Sequence, residues 1–484
     1  VPIKLVVIRS RTSRRCDVTE TVTAARKLDV VVFEAPGLGD RSYLLHDGAK
    51  AVVVDPQRDP HPYLKTAEDL GLDLALVLET HVHNDYVSGG LALARRAGAT
   101  YGVPAGVPFQ FSSEAAALEE GDVLRVGDLT VTVLLTPGHT PHHLAFLVTD
   151  ANGTSAVLTG GSLLPGGTGR TDLFGRDLAV SLGEAQWRSV RRLLDELDPG
   201  TSVLPTHGFG SFCSAATVGG AGSESLTIGS ERRVNPAARL DLGAFVEGLL
   251  AKPLPIPGYY AHMAPINRAG ATEPIYEPVP VLSPTALMAQ LNSGTAVVDI
   301  RPRRTFAASH LRGTLNIELA AQLPTYLGWL VPFYAPFVVL SETADDLLES
   351  RRLLSRIGRE LPVAWAQAEL FEPAPVGQRG HFEVASFRSL AQRRQRGSRP
   401  RVLDVRFPHE WDKGHIRAAQ NVPLPDVASA IQAFPADEEM WVHCAAGYRA
   451  AIAASMLSAR GRPTVLVDDS FDNAVSAGLE VVTS

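Results

Sequence analysis

The chain has 484 residues, 45% of them hydrophobic and 20% charged, with a formal net charge of −7. That is the make-up of globular protein with room for about two to four domains. The acidic balance gives no reason to expect nucleic acid as a partner, and no apolar run approaches the ~18 residues that would span a bilayer.

Residues 1–27 read as an N-terminal extension. Its apolar run, IKLVVI, precedes the basic RSRTSRR, the reverse of a secretory signal, so a cytoplasmic location is the expectation. From Leu28 the pattern becomes regular. VVVFEAP, SYLLHDG and AVVVDP are β-rich runs closed by Gly, Asp or Pro. PYLKTAEDLGLD is helical, LALVLET is a buried strand and LALARRAGA is the next helix. DVLRVGDLTVTVLLTPGHT, HHLAFLVTD and SAVLTGG supply further strands, LGEAQWRSVRRLLDELDP is an amphipathic helix, and TSVLPTHG is a last strand. Strands alternating with helices over residues 28–251 predict a layered α/β sandwich.

Histidines sit just past several of these strands. THVHNDYVSGG carries His81 and His83, followed by Asp85 and Tyr86; TPGHT carries His139; LPTHG carries His207. His81 and His83 alone are a weak signal, but four histidines at strand ends can converge on one edge of a sandwich. Neutral imidazoles suit Zn²⁺ or Fe²⁺, so the histidines read as a candidate metal site. Asp85 and His207 are candidates for a fourth ligand, an orienting partner or an acid–base group. Tyr86 is either a packing residue or a hydroxyl donor to substrate. Of His142 and His143, at least one is expected to face solvent. Arg170 and Asp172 are expected to form a structural pair, and Cys213 to be a small buried residue. GGTGRTDLFG is glycine-rich but does not open a helix after a strand, so it is not read as a phosphate loop.

Residues 252–282 are proline-dense and break both periodicities, which predicts a linker over the surface. Beyond them the chain repeats itself. VVDIRPRRTFAASHLRGTLNIEL matches VLDVRFPHEWDKGHIRAAQNVPL at a constant spacing of 105 residues, pairing Asp299 with Asp404, Arg301 with Arg406, His310 with His415 and Asn316 with Asn421. Two α/β domains with parallel sheets are predicted, at 283–376 and 377–484. In the second, MWVHCAAGYRAAIAASML sets Cys444 between a strand and a helix, with Ala445, Ala446, Gly447 and Tyr448 forming the loop and Arg449 closing it. Three cysteines, Cys16, Cys213 and Cys444, are too few for a disulfide framework. A thiolate at a helix N-terminus is favoured by the backbone N–H groups and the macrodipole, and Arg449 is a candidate to hold an anionic group. The first copy has Ser341 in place of the cysteine, followed by ETADD, so no thiolate chemistry is available there.

A cysteine-bearing copy beside a cysteine-less one resembles the tandem rhodanese-type sulfurtransferases. LDVRFPHEWDKGHIRAAQNVPL is similar to that family's first signature and VHCAAGYRAAIAASML to its active loop. The loop is one residue shorter than that of related phosphatases, which favours sulfane sulfur over phosphate. The resemblance implies that Cys444 takes sulfur from a donor, carries it as a persulfide and passes it to an acceptor thiol or cyanide. Thiols, persulfides and thiosulfate are the implied partners, with no membrane partner and with self-association left open.

The histidine set resembles the metallo-β-lactamase fold, whose signature is H-x-H-x-D-H, a later His in a P-G-H-[ST] turn, a bridging Asp and a last His. GRTDL (169–173) and the joined rhodanese domains resemble the persulfide dioxygenase branch, which implies one iron per chain and O2 as co-substrate. The implied fold class is an αβ/βα sandwich followed by two rhodanese-like domains, and the implied metal ligands are His81, His83 and His139, the three-His half of the fold. Two positions depart from the pattern: Tyr86 stands where the signature has His, and Gly161 in TGGSLL stands where the branch has its aspartate ligand. One Fe(II) or Zn(II) therefore remains the expectation, and a dinuclear site does not. A thioester hydrolase of the glyoxalase II type, and a metal-free scaffold that presents Cys444, are the alternative readings.

Overall fold

The computed structural model describes residues 6–7, 28–214, 226–251, 254–371 and 376–483. Cys16 and nearly all of the 1–27 extension lie outside them. The chain divides into two compact units, Val1–Pro274 with Ser355–Gly358, and Ile275–Leu354 with Arg359–Ser484. Among the described residues no helix is long and apolar enough to cross a membrane.

The first unit is built on a seven-stranded and a five-stranded sheet. Strand alternation explains how each sheet covers two cores. In Lys50–Val54, Val52 and Val54 face the layer between the sheets, while Ala51 and Val53 face the helices outside. In Leu144–Thr149, Leu144, Phe146 and Val148 enter the same inner layer, while Ala145 packs with Val190, Leu193 and Leu194 of the helix Arg176–Glu196. The result is the expected layering of helix, sheet, sheet, helix. Lys50–Val54 runs parallel to Asp73–Leu78, and Ser155–Gly160 runs parallel to Ser202–Pro205. The Leu144 N–H donates to the Thr80 carbonyl at 2.7 Å and ties the strand ends of the two sheets together.

The stretch 252–282 is not the plain linker its prolines suggested. It contains the helix Tyr260–Ala269, with Pro265 inside it. Tyr260, Met263 and Asn267 are buried, a spacing of three and four that gives the helix an inward face. That burial outweighs the hydrogen bond lost at one proline.

The second unit holds two parallel sheets, of four and five strands, that share one apolar core. The two copies repeat each other atom for atom at their signature residues. Arg301 forks onto Asp299 as Arg406 forks onto Asp404, with closest contacts of 2.6 Å in both. The Asn316 amide donates to the carbonyls of Asp299 and Arg301, and the Asn421 amide to those of Asp404 and Arg406. His310 stacks on Phe306 and His415 on Trp411. These shared residues therefore hold the fold, because the copy without a cysteine keeps them all.

Candidate functional site

In the first unit, residues just past four strand ends meet in a buried cluster. His81 and His83 follow Asp73–Leu78, His139 follows Leu129–Leu135, His207 follows Ser202–Pro205 and Asp55 follows Lys50–Val54. His81, His83, Asp85, His139 and His207 are each 1% exposed or less.

Their hydrogen bonds fix which ring nitrogens are free. His139 donates Nδ1–H to the Arg170 carbonyl at 2.8 Å. An oxygen that only accepts sets the tautomer and leaves Nε2 as a lone pair, and among the described residues no group meets that Nε2. His81 Nδ1 lies 2.8 Å from the Thr80 hydroxyl, which itself donates to Asp55 Oδ2 at 2.7 Å. Thr80 therefore accepts from His81, and His81 Nε2 is left as the lone pair. His207 turns Nδ1 to Asp40 (2.9 Å) and Asp85 (3.2 Å), and its Nε2 lies 3.2 Å from His81 Nε2. His83 faces the other way. Its Nε2 meets Glu79 at 3.1 Å, Asp55 at 3.3 Å and the Tyr86 hydroxyl at 3.0 Å, and its Nδ1 has no partner.

Burial and the neighbouring imidazoles hold His139 down to about 3 and His81 well below the ordinary histidine value, so both rings are neutral near pH 7. Burial acts on His83 in the same direction, but Asp55 and Glu79 outweigh it and lift that ring to about 9. For His207, Asp85 and Asp40 outweigh burial and lift it to about 10. Asp40 is raised to about 7 by burial and by Asp85, while the His207 charge drives Asp85 low against its burial.

Three overlapping groups place one ligand atom per residue within 4.8 Å of one another: His81, His139 and His207; His83, Asp85 and His207; and Asp55, Glu79 and His83. The orphaned His139 Nε2, His83 Nδ1 and Asp85 Oδ1 are buried polar atoms of the kind an ion would satisfy. The neutral rings of His81 and His139, beside further imidazoles and carboxylates, suit a divalent transition metal, and the residues present fit one.

The two departures from the signature have physical causes. A Cβ at Gly161 would fall 2.2 Å from His139 Cδ2 and 2.8 Å from its Nε2, so the ring fills the space a side chain there would need. Tyr86 stacks on His83 and donates its hydroxyl to the Asp55 carbonyl at 3.1 Å, so it braces the His83 ring.

Two participants, Asp55 and Asn267, are not among the residues marked in the sequence. Asp55, at φ +52°, accepts from the Thr80 N–H, the Thr80 and Thr206 hydroxyls and His83; its signal was the aspartate that ends AVVVDP. His143 is buried and stacked on His81, accepting from the Gly161 N–H at 3.0 Å while its Nδ1 meets Thr136. Both its nitrogens are occupied, so it packs rather than ligates. Asn267 donates to the carbonyls of His83 and Tyr86, both at 2.9 Å, and pins the H-x-H loop; nothing in its local sequence marked it. His142 faces solvent, Arg170 and Asp172 form the expected pair at 2.6 and 2.7 Å, and Cys213 is buried 3.8 Å from the Tyr260 hydroxyl.

In the second unit, Cys444 follows the buried strand Met440–His443 and precedes the helix Tyr448–Ala459. Gly447 turns the loop at φ +88°, and a Cβ there would lie 2.1 Å from Asp468 Oδ1. The Phe471 N–H donates to the Ala445 carbonyl at 2.8 Å, and the Tyr448 hydroxyl to the Glu318 carbonyl at 2.7 Å. Cys444 is 2% exposed. Arg449 does not reach into open space. Both ends of its fork are taken by Glu410, at 2.5 and 2.7 Å. A pocket of about 560 Å³ opens beside Ala446, lined by Arg303, Arg304 and Glu318 of the first copy and by Asp468 and Asn473 of the second. Arg303 and Arg304 both meet Asp468, at 2.7 and 2.6 Å. In the first copy Ser341 donates to the Thr343 carbonyl at 2.8 Å, and the Thr343 hydroxyl accepts from the Asp346 N–H at the start of the next helix. That loop is closed on itself.

Residues 36–208 match the Metallo-beta-lactamase superfamily, and residues 386–477 match the Rhodanese-like domain. The chain is 31% identical over 240 residues to the mitochondrial persulfide dioxygenase ETHE1 of Homo sapiens, covering 48% of this chain and 85% of that one. It is 35% identical over 176 residues to a hydroxyacylglutathione hydrolase of Cereibacter sphaeroides, covering 36% of this chain and 64% of the relative. A crystal structure of a metallo-beta-lactamase from Staphylococcus aureus superposes with a TM-score of 0.61 at 23% identity, over 71% of this chain and 99% of that chain, a likeness of fold.

Proposed function

We propose that this chain, which belongs to the metallo-beta-lactamase superfamily and carries a rhodanese-like domain, is an enzyme of sulfane-sulfur metabolism with two chemical centres. Cys444 is the sulfur carrier. Its thiolate attacks the outer sulfur of a donor such as thiosulfate, the donor's S–S bond breaks, and sulfite leaves with the electron pair. An acceptor thiolate or cyanide then attacks the terminal sulfur of the Cys444 persulfide and releases the thiolate again. Ala445, Ala446, Gly447 and Tyr448 form the loop that presents the sulfur. The Arg449–Glu410 pair holds that loop in place, and Arg303 and Arg304 are the cations nearest the pocket for an anionic donor. The copy at 283–376 supplies a wall of that pocket without chemistry of its own.

The histidine cluster holds a single divalent metal, Fe(II) or Zn(II), and acts on a persulfide or related thiol derivative. When bound, the metal supplies Lewis acidity and, if it is iron, redox chemistry. The protein's own part is to keep His81 and His139 neutral, to hold their rings through Thr80 and Arg170, and to exclude water. The observation that carries the metal half is the buried, unpartnered Nε2 of His139, with the His81 lone pair turned into the same cluster. The likeness to a persulfide dioxygenase supports a sulfur substrate.

Two measurements test the reading. After incubation with thiosulfate, intact mass of the chain should rise by one sulfur atom in the wild type and not in Cys444→Ser; an unchanged wild-type mass defeats the carrier half. Elemental analysis should find metal that is lost in His81→Ala and His139→Ala; a folded wild type without metal defeats the other half. The likeness to hydroxyacylglutathione hydrolase favours a second reading, a metal-dependent thioester hydrolase. Thioester turnover without O2 uptake would select it.

A further inference from the structure

Resting on the metal reading above, we infer that the ion's inner ligands are His81, His139 and His207, and that His83 stays outside as a braced neighbour. Position 161 delivers no carboxylate. Its backbone N–H is bonded to His143 at 3.0 Å, and the His139 ring lies where its side chain would stand. His207 takes that place in the donor set from the next strand of the same sheet, because Ser202–Pro205 pairs in parallel with Ser155–Gly160.

Each of the three rings has one nitrogen left to offer an ion. In each of the three rings Nδ1 is taken, by Thr80 for His81, by the Arg170 carbonyl for His139 and by Asp40 and Asp85 for His207. The remaining nitrogen in all three is Nε2, a lone pair on His81 and His139 and, on His207, an N–H whose proton the ion would displace; the three residues place ligand atoms within 4.8 Å of one another. His81 Nε2 and His207 Nε2 are 3.2 Å apart. Two nitrogens bound at ~2.05 Å to one tetrahedral ion stand about 3.3 Å apart, so this pair already has the spacing of neighbours on one metal. His83 points its Nε2 into Asp55, Glu79 and Tyr86, and it groups with Asp85 and His207 or with Asp55 and Glu79, not with His81 and His139.

The carboxylates thereby act one step removed. Asp40 and Asp85 bond the back of His207, which orients the ring and raises its basicity as a ligand. Three imidazoles with carboxylates behind them favour a borderline divalent ion such as Zn²⁺, Fe²⁺ or Co²⁺ over Mg²⁺ or Ca²⁺, which prefer oxygen donors.

Co²⁺ loading of the full-length chain tests this without any turnover, by its visible absorption and by competition with a chelator. The wild type should take up one Co²⁺. His207→Ala should lose more than about 100-fold in affinity, since loss of an orienting partner alone costs about 10- to 100-fold, and its spectrum should change. His83→Ala should stay within about tenfold of wild type and keep the spectrum. Asp40→Asn, which retains the His207 ring, should fall by about 10- to 100-fold, so the inference stays testable if His207→Ala does not fold. Gly161→Asp should not tighten binding. Wild-type affinity and spectrum in His207→Ala, or loss of the ion in His83→Ala alone, would overturn the assignment while leaving the metal reading standing. A folded wild type that takes up no Co²⁺ overturns both.

Discussion

Arg449 and Glu410, which lie 39 residues apart in the chain, meet in two parallel hydrogen bonds of 2.5 and 2.7 Å that fasten the end of the Cys444 loop to the first signature segment. Both side chains are largely buried, so removing one leaves the other's charge without a partner. Glu410→Ala should destabilise the second unit by about 3–5 kcal/mol. Arg449→Lys should also weaken it, because an ammonium cannot reproduce the planar fork. Urea unfolding of the two single variants and the double variant measures the pair. A double variant as damaged as the sum of the singles would mean that the two residues do not act together.

Gly447 holds a positive φ with Asp468 against its face. Gly447→Ala therefore meets both backbone strain of about 1–3 kcal/mol and a steric conflict. Sulfur transfer should fall by more than stability does, because the displaced loop carries Cys444. A comparison of thiosulfate-dependent mass gain with the unfolding midpoint separates the two effects.

The relay from His81 through Thr80 to Asp55 fixes the His81 tautomer. Thr80→Val keeps the shape and deletes the hydroxyl. Metal affinity should drop by about 10- to 100-fold, read by chelator competition. An unchanged affinity would remove Thr80 from the account of the site.

A metal bound only by the folded first unit stabilises it by mass action. With free metal at 100 times its dissociation constant the gain is about 2.7 kcal/mol. Chelation should lower that unit's melting temperature in the wild type and leave a His139→Ala variant unmoved. Calorimetry with and without chelator provides the check.

Burial holds His310 and His443 of the second unit down to about 4, against an ordinary value of 6.5. Between those values the unfolded chain binds protons that the folded unit refuses, so stability rises with pH there. It should be complete above about pH 6.5 and fall as the pH drops toward about 4. His310→Gln should make that acid limb shallower, as followed by urea midpoints across the window.

The sequence by itself determined the elements and the repeat. Alternating burial such as that of LTVTVLL is written in neighbouring residues, and Asp299, Arg301 and Asn316 reappear in register as Asp404, Arg406 and Asn421 because each copy needs the same local contacts. It also marked the loops that carry His81, His83, His139, His207 and Cys444, since strand ends are visible as breaks in a periodic pattern. Only the tertiary structure decided what those side chains face. That His83 turns to Glu79 and Asp55, that Arg449 is held by Glu410, that His143 is buried and that Asn267 pins the histidine loop from a proline-rich stretch all depend on contacts between residues far apart in the chain. Such contacts follow from sheet register and packing, which no local window of the sequence contains. The ring nitrogen left free on each histidine is set by the partner of the other nitrogen, and for His139 and His207 that partner is known only once the strand ends have been brought together.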